Sequence, residues 1–199
     1  IGRAVEFTPG QFAMVYIGSK DGWQRHPFAI TSAPRGRAIA ATVKALGDYT
    51  SRLGDILEPG MPAVIGGPHG RFDHSKGTDR QVWIAGGVGV APFLSWLRDL
   101  DGHLPRRVDF FYATDGEPPF AEEIRAIAGR HPSLSAHLVD SVAEGRLTTE
   151  RVLEVAGAPP PELSVFMCGP QGMLRAFGAD LRRAGVRGRN IHREYFDWR

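Results

Sequence analysis

Three short strings in this chain carry residue types that can grip phosphate and seat a flat heterocycle. His26-Pro-Phe-Ala-Ile-Thr-Ser-Ala-Pro34 offers an imidazole, an aromatic ring and strand-like backbone within a few residues. Gly86-Gly-Val-Gly-Val-Ala-Pro92 sets glycines between an apolar run and a helical one, where backbone N–H groups and a helix start can approach an anion. Met167-Cys-Gly-Pro170 ends another apolar run, at the edge of a parallel sheet where ligands of open sheets bind. The first string reads as a strand presenting a cation and backbone groups to a phosphorylated ligand, and the other two as the glycine turn and strand end of a nucleotide-binding sheet. A fourth, Lys44-Ala-Leu-Gly-Asp-Tyr-Thr-Ser51, precedes a helical stretch, with Gly47 free of a side chain and Thr50 and the helix start able to hold a diphosphate. Singly, each has a plain reading: a helix cap for Gly47 and Thr50, a packing turn for Gly86, Gly87 and Gly89, an inert buried thiol for Cys168, and a barrel-surface histidine for His26. Their order narrows the chemistry.

Composition sets the outer bounds. Lys and Arg total 24 against 22 Asp and Glu, a formal charge of +2 that gives no reason to expect nucleic acid as a partner. The single Cys168 cannot form an internal disulfide, and no paired-cysteine or metal-ligand spacing is present, so no metal is expected. No stretch approaches the roughly 18 uninterrupted apolar residues of a membrane span.

The elements that must position these strings come in two styles. Gln11 to Ile17, Phe28 to Ser32 and Ala38 to Lys44 are short alternating segments punctuated by Gly and Pro, which predict antiparallel strands of a small barrel. From Gln81 onward, the apolar runs Val82–Ala85, Val108–Ala113, His137–Val139 and Leu163–Cys168 suit buried parallel strands. Helical spacing follows in Phe93, Leu97 and Leu100 after Pro92, in Phe120, Ile124 and Ile127 before Gly129, and in Met173, Phe177 and Leu181 before Gly185. The fold class is therefore β followed by α/β: a small antiparallel barrel over residues 1–76, then a doubly wound parallel-sheet domain over residues 77–199, divided within the polar stretch Asp73–Arg80.

Taken together, the motifs resemble the ferredoxin-NADP reductase superfamily, most closely the flavin and nicotinamide half of bacterial ferric reductases and NADPH oxidases. The resemblance implies FAD and NADH or NADPH as cofactors. It gives His26 the flavin diphosphate, Phe28 the ribityl chain or isoalloxazine, and Pro27 and Ala29 the rest of that strand's contact. Relatives carry Ser or Thr where Ala29 stands, so hydride transfer here would rely on backbone donors or on Thr31. Lys44, Gly47 and Thr50 join the flavin site; Gly86, Gly87, Gly89 and Pro92 hold the nicotinamide diphosphate. Cys168, Gly169 and Pro170 flank the hydride-transfer centre, with Cys168 a neighbour of the rings and not a nucleophile. The closing Ile191–Arg199 segment would bring Glu194 near the rings and lay Phe196 over the flavin, with Tyr195 and Trp198 as rivals for the aromatic role. Thr114 opens an acidic Thr114-Asp-Gly-Glu117 stretch that leans towards NADH, unless Arg182, Arg183, Arg187 and Arg189 compensate.

The implied activity is hydride transfer from nicotinamide to flavin, then single electrons to an acceptor such as haem or ferric iron. The implied partner is a haem-bearing transmembrane domain of the same longer chain, with this module on the cytoplasmic side and further barrel strands ahead of Ile1, or else a separate electron acceptor. Two other readings stay open: a soluble reductase serving an oxygenase or free flavin, and a nucleotide-binding regulatory module without catalysis.

Overall fold

The computed structural model describes residues 5–19, 22–36, 38–100 and 104–195. Phe196 and Trp198, expected at the flavin face, lie outside the described residues.

The first half is built on an antiparallel sheet in the order β2-β1-β3, from β1 (Phe12–Ser19), β2 (Gly22–Ala29) and β3 (Ala63–His69), with helix α1 (Asp48–Ile56) between β2 and β3. β1 is central and pairs Val15 with His26 on one side and with Ile65 on the other. Two sequence expectations shift here. Phe28–Ser32 is the tail of a strand that begins at Gly22, because the polar, exposed residues at its start carry no apolar alternation to announce an edge strand. Ala38–Lys44 forms no strand, only the bridge of Ile30 to Ala41, and its later residues are drawn towards the ligand cavities instead. β3 was hidden by Gly66, Gly67 and Pro68, residues an edge strand tolerates.

The second half is a five-stranded parallel sheet in the order β6-β5-β4-β7-β8. Its strands are β4 (Arg80–Gly86), β5 (Arg107–Thr114), β6 (Leu134–Asp140), β7 (Leu163–Cys168) and β8 (Ile191–Glu194). Helices α2 (Ala91–Arg98), α3 (Ala121–Ala128), α4 (Thr149–Ala156) and α5 (Gln171–Arg183) alternate with them. β4 and β7 are central and almost wholly buried, as continuous apolar runs require. Two apolar cores flank the sheet, one around Trp83, Phe93, Trp96 and Phe110, the other around Val82, Ile84, Phe177 and Leu181, which is the double winding.

The segment joining the sheets drives an aromatic side chain into the second half. Phe72 is buried and stacks on Trp96 at 4.7 Å, with Phe93 and Phe166 edge-on at 5.5 and 5.8 Å. Burial of one such ring contributes about 2 kcal/mol. His74 follows on the same cluster, against Trp83 and Trp96, and His192 of β8 lies flat on Phe166 at 4.2 Å.

Burial holds both imidazoles below the ordinary histidine value, with Lys76 adding to the effect at His192 and Asp73 and Asp99 opposing it at His74. The unfolded chain then binds protons that the folded one refuses, so stability rises with pH through the region below about 6.5 and is lost as pH falls. We expect the melting temperature to drop between pH 7.5 and 5.5, and His192→Phe, which keeps the stacked shape, to flatten that slope. An unchanged slope in the variant would assign the acid sensitivity elsewhere.

Candidate functional site

Two cavities share one wall. The first, about 420 Å³, is lined by His26, Pro27, Phe28 and Ala29 of β2 and by Lys44, Gly47, Tyr49 and Thr50 around the start of α1. The second, about 790 Å³, lies over the carboxyl ends of the parallel strands, against Gly86, Gly87, Tyr112, Thr114 and Pro170. Thr42, Val43, Lys44 and Val88 line both. The motif at the end of β2 and the motif that closes β4 thus lie on two cavities with a common partition.

The first cavity gathers what a diphosphate needs. The first-turn N–H groups of α1 have no acceptor within the helix, and the helix dipole adds partial positive charge there. The Thr50 hydroxyl shapes this turn by accepting the amides of Leu46 and Gly47 at 3.0 and 3.1 Å, so its role is to hold the loop as much as to face a ligand. His26 stacks face to face on Tyr49, with centroids 3.7 Å apart and planes within 10°. Burial lowers the His26 pKa and raises that of Tyr49, leaving a neutral pair that an arriving phosphate would push towards the imidazolium. Ala29 brings a methyl group to the cavity and no hydroxyl. Thr31 lines neither cavity: it is buried behind the strand end, its amide on the Ala40 carbonyl at 2.8 Å.

The second cavity depends on a thin turn. Gly87 sits at φ +54° in open space, with only the Lys44 ammonium as near as 4.0 Å to where a Cβ would be, so its backbone is accessible from the cavity. Gly89 plays another part: a Cβ there would overlap the Cys168 carbonyl, so this glycine lets the turn lie against the end of β7. Pro92 is buried in the first turn of α2, behind the cavity wall. Thr114 does line the cavity, and its hydroxyl donates to the Gly116 carbonyl at 2.6 Å. The Asp140 carboxylate accepts the amides of Gly116 and Val142 at 3.0 and 2.9 Å, fixing the acidic loop.

Cys168 and Glu194 are opposite one another in the β7–β8 register, as expected of neighbours, and neither is among the described residues that line these two cavities. Burial, helped by the Glu194 charge, pushes the Cys168 thiol well up, and burial raises the Glu194 carboxyl too. A thiol held protonated is no nucleophile at neutral pH. The arginines at 182, 183, 187 and 189 do not reach the nucleotide cavity. Arg182 donates to the Gly178 carbonyl, Arg183 pairs with Asp180, and Arg187 and Arg189 line a depression beside Arg80 at the opposite end of the sheet. The cation that faces the acidic loop is Arg146, which shares the cavity with Asp115 and Glu117.

Sequence reasoning missed Tyr49, Thr42, Tyr112 and Arg146. Tyr49 carried a readable signal, an aromatic inside the phosphate-binding turn, whereas Arg146 lies in a loop whose direction only the β6 exit decides. Tyr112 belongs to an apolar strand run, and burial pushes its phenol up to about 12, so it stays a neutral hydroxyl on the cavity wall.

Both cavities find counterparts among known proteins. Residues 2–89 match the family model of an FAD-binding domain, and residues 83–178 that of an oxidoreductase NAD-binding domain. The chain is 29% identical over 220 residues to a flavohemoprotein of Chromobacterium violaceum, across 98% of this chain and 54% of that protein. It is 30% identical over 200 residues to the ferredoxin reductase component of a 3-ketosteroid-9-alpha-monooxygenase from Rhodococcus rhodochrous, across 96% of this chain and 56% of that one. The crystal structure of a ferredoxin NADP+ reductase from Neisseria gonorrhoeae with bound FAD and NADP shares the fold, with a TM-score of 0.80 at 18% identity, covering 98% of this chain and 89% of that one. The chain thus joins a match to an FAD-binding domain with a match to an oxidoreductase NAD-binding domain, in the fold of that ferredoxin NADP+ reductase. The chain spans about half the length of the curated relatives it matches.

The two glycines of the turn separate close packing from ligand access. Gly86 would press a Cβ on the Met173 sulfur at 2.7 Å, a flexible side-chain end, whereas Gly89 would press one on backbone. We expect Gly89→Ala to cost about 3 kcal/mol and Gly86→Ala clearly less, measured by urea denaturation. Equal losses would contradict the packing role of Gly89.

Proposed function

We propose that this module accepts hydride from a nicotinamide nucleotide seated over the parallel sheet onto FAD seated against β2 and α1, and delivers the electrons singly to a haem or to a separate protein acceptor. The observation that carries this reading is the shared wall at Thr42, Val43, Lys44 and Val88, which puts the two cofactor sites in contact along one side. FAD, when bound, supplies a two-electron acceptor that can release electrons one at a time.

The residues present fit that cofactor pair. His26, Lys44 and the α1 start offer positive charge to the flavin diphosphate, while Phe28 and the methyl of Ala29 offer apolar contact. Gly86 and Gly87 bring backbone close to the second diphosphate, and Lys44, on the common wall, can serve either. Because Ala29 lacks a hydroxyl, polar contact with the ring must come from backbone or from Thr42. Cys168 and Glu194 stand side by side at the ends of β7 and β8: the thiol is buried, and the partly buried carboxyl holds a proton more tightly than an exposed one. Asp115 and Glu117 lie together on one loop of this cavity, and their charge disfavours a 2'-phosphate beside that loop despite Arg146 and Lys44 on the same lining, so NADH is the preferred donor in this reading.

The acceptor is argued from relatives: the Chromobacterium protein is by name a flavohemoprotein and the Rhodococcus one an oxygenase's reductase component. Among the described residues no helix is long and apolar enough to cross a membrane, so a membrane-borne haem partner would be reached through residues beyond these.

Anaerobic mixing of the FAD-loaded protein with NADH is the direct test. We expect bleaching of the oxidised-flavin band, with NADH effective at lower concentration than NADPH. Binding of NADH without bleaching would overturn the enzyme reading in favour of a regulatory nucleotide-binding module.

A further inference from the structure

Helix α2 starts at the nicotinamide-side turn and ends on the flavin-side half. Along it, three side chains donate hydrogen bonds to three main-chain carbonyls of the other half. Ser95 Oγ donates to Ser32 O at 2.8 Å, Trp96 Nε1 to Pro9 O at 3.0 Å, and an Arg98 terminal nitrogen to Thr31 O at 2.8 Å. Ser95 and Trp96 are buried, and Thr31 is 1% exposed, so these bonds are shielded from competing water.

Arg98 does more than its two neighbours. Its other two nitrogens hold Glu123 in a fork, Nε to Oε1 at 2.7 Å and NH2 to Oε2 at 2.8 Å. Glu123 lies in the first turn of α3, three residues after Phe120, which lines the second cavity with Pro119. Thr31 lies two residues after Ala29, which lines the flavin cavity, and α2 itself begins at Ala91, also on that cavity. One guanidinium thus ties together three segments, each running within a few residues into a ligand wall.

We propose that Arg98 is the positioning residue that sets the distance and angle between the flavin and nicotinamide rings, by locking the exit of β2 to the end of α2 and the start of α3. The proposal rests on the hydride-transfer reading for its consequence but on hydrogen bonds alone for its structure. A planar fork with a third donor suits this task because its bonds come in a fixed relative geometry, and a lysine ammonium cannot span Glu123 and Thr31 in the same way. The flavin-side acceptors are carbonyls, so the lock is indifferent to which side chains that segment carries. Misplacement of reacting rings by about 1 Å can cost a hundredfold in rate.

Two measurements on Arg98→Ala and Arg98→Lys test it. In the cofactor-free protein, hydrogen exchange is read at the amides of Ile30 and Thr31, which bond to Gln11 O and Ala40 O. Arg98→Ala should speed exchange there about tenfold, the size expected for one charged hydrogen bond, with Arg98→Lys in between. Full protection in both variants overturns the lock, whether or not the wild-type protein is reduced by NADH. In the FAD-loaded protein, single-turnover reduction by NADH should slow by about tenfold to a hundredfold in Arg98→Ala, with the NADH dissociation constant nearly unchanged and partial recovery in Arg98→Lys. Loosened amides with an unchanged reduction rate would overturn the positioning role while leaving the hydride-transfer reading intact. If Arg98→Ala does not fold, Arg98→Lys alone decides, since it too must loosen the amides and slow the transfer.

Discussion

Helix α2 is buried on nearly every side, and the geometry of both ligand sites follows from that. Ala91 to Leu97 are all inaccessible, as a helix must be when one face packs on a sheet and the opposite face on another structural unit. Its position is set at the front by a turn thin enough to lie on the carbonyl of Cys168 and at the back by side chains that reach carbonyls of the flavin-side segment. The aromatic cluster around Phe72, Phe93 and Trp96 fills the space between. Move this helix and both the glycine turn and the exit of β2 must move with it, so the wall between the cavities is a property of α2 as much as of the residues on it.

Charge is arranged on the same plan. Lys44 and Arg146 bring positive charge to the cavity linings and His26 an imidazole that is neutral until a phosphate arrives, while the carboxylates that line the second cavity, Asp115 and Glu117, sit on a loop pinned by Asp140. Cys168 and Glu194 are both held towards their neutral forms by burial beneath the turn.

The sequence showed most clearly whatever is governed by continuous apolar runs. β4, β5 and β7 lie within a residue or two of Val82–Ala85, Val108–Ala113 and Leu163–Cys168, because strands buried on both faces must be apolar throughout. The flavin-side sheet was harder to read, since its strands are partly exposed: β2 begins in polar residues, β3 carries Gly-Gly-Pro, and Ala38–Lys44 alternates like a strand but finds no ladder. Of the cavity-lining residues, Gly86, Gly87 and Gly47 were legible because glycine at the start of a helix, where the chain turns, has few other uses. Side chains arriving from elsewhere in the fold, Tyr49 on His26 and Arg146 opposite Glu117, were not, since partnership across the fold leaves no mark in local spacing. Gly89, Pro92, Thr31 and Cys168 were singled out with ligands in view, and the structure places them behind the walls, where they shape the site by packing.

Convergence of two nucleotide sites on one wall is the central claim, and a crystal structure of the protein with FAD and NAD+ tests it most directly. The account predicts the flavin diphosphate at His26 and the α1 start, the nicotinamide diphosphate at Gly86 and Gly87, and the two ring systems meeting beside Thr42, Lys44 and Val88. Nucleotides bound in separate places with that wall empty between them would contradict it.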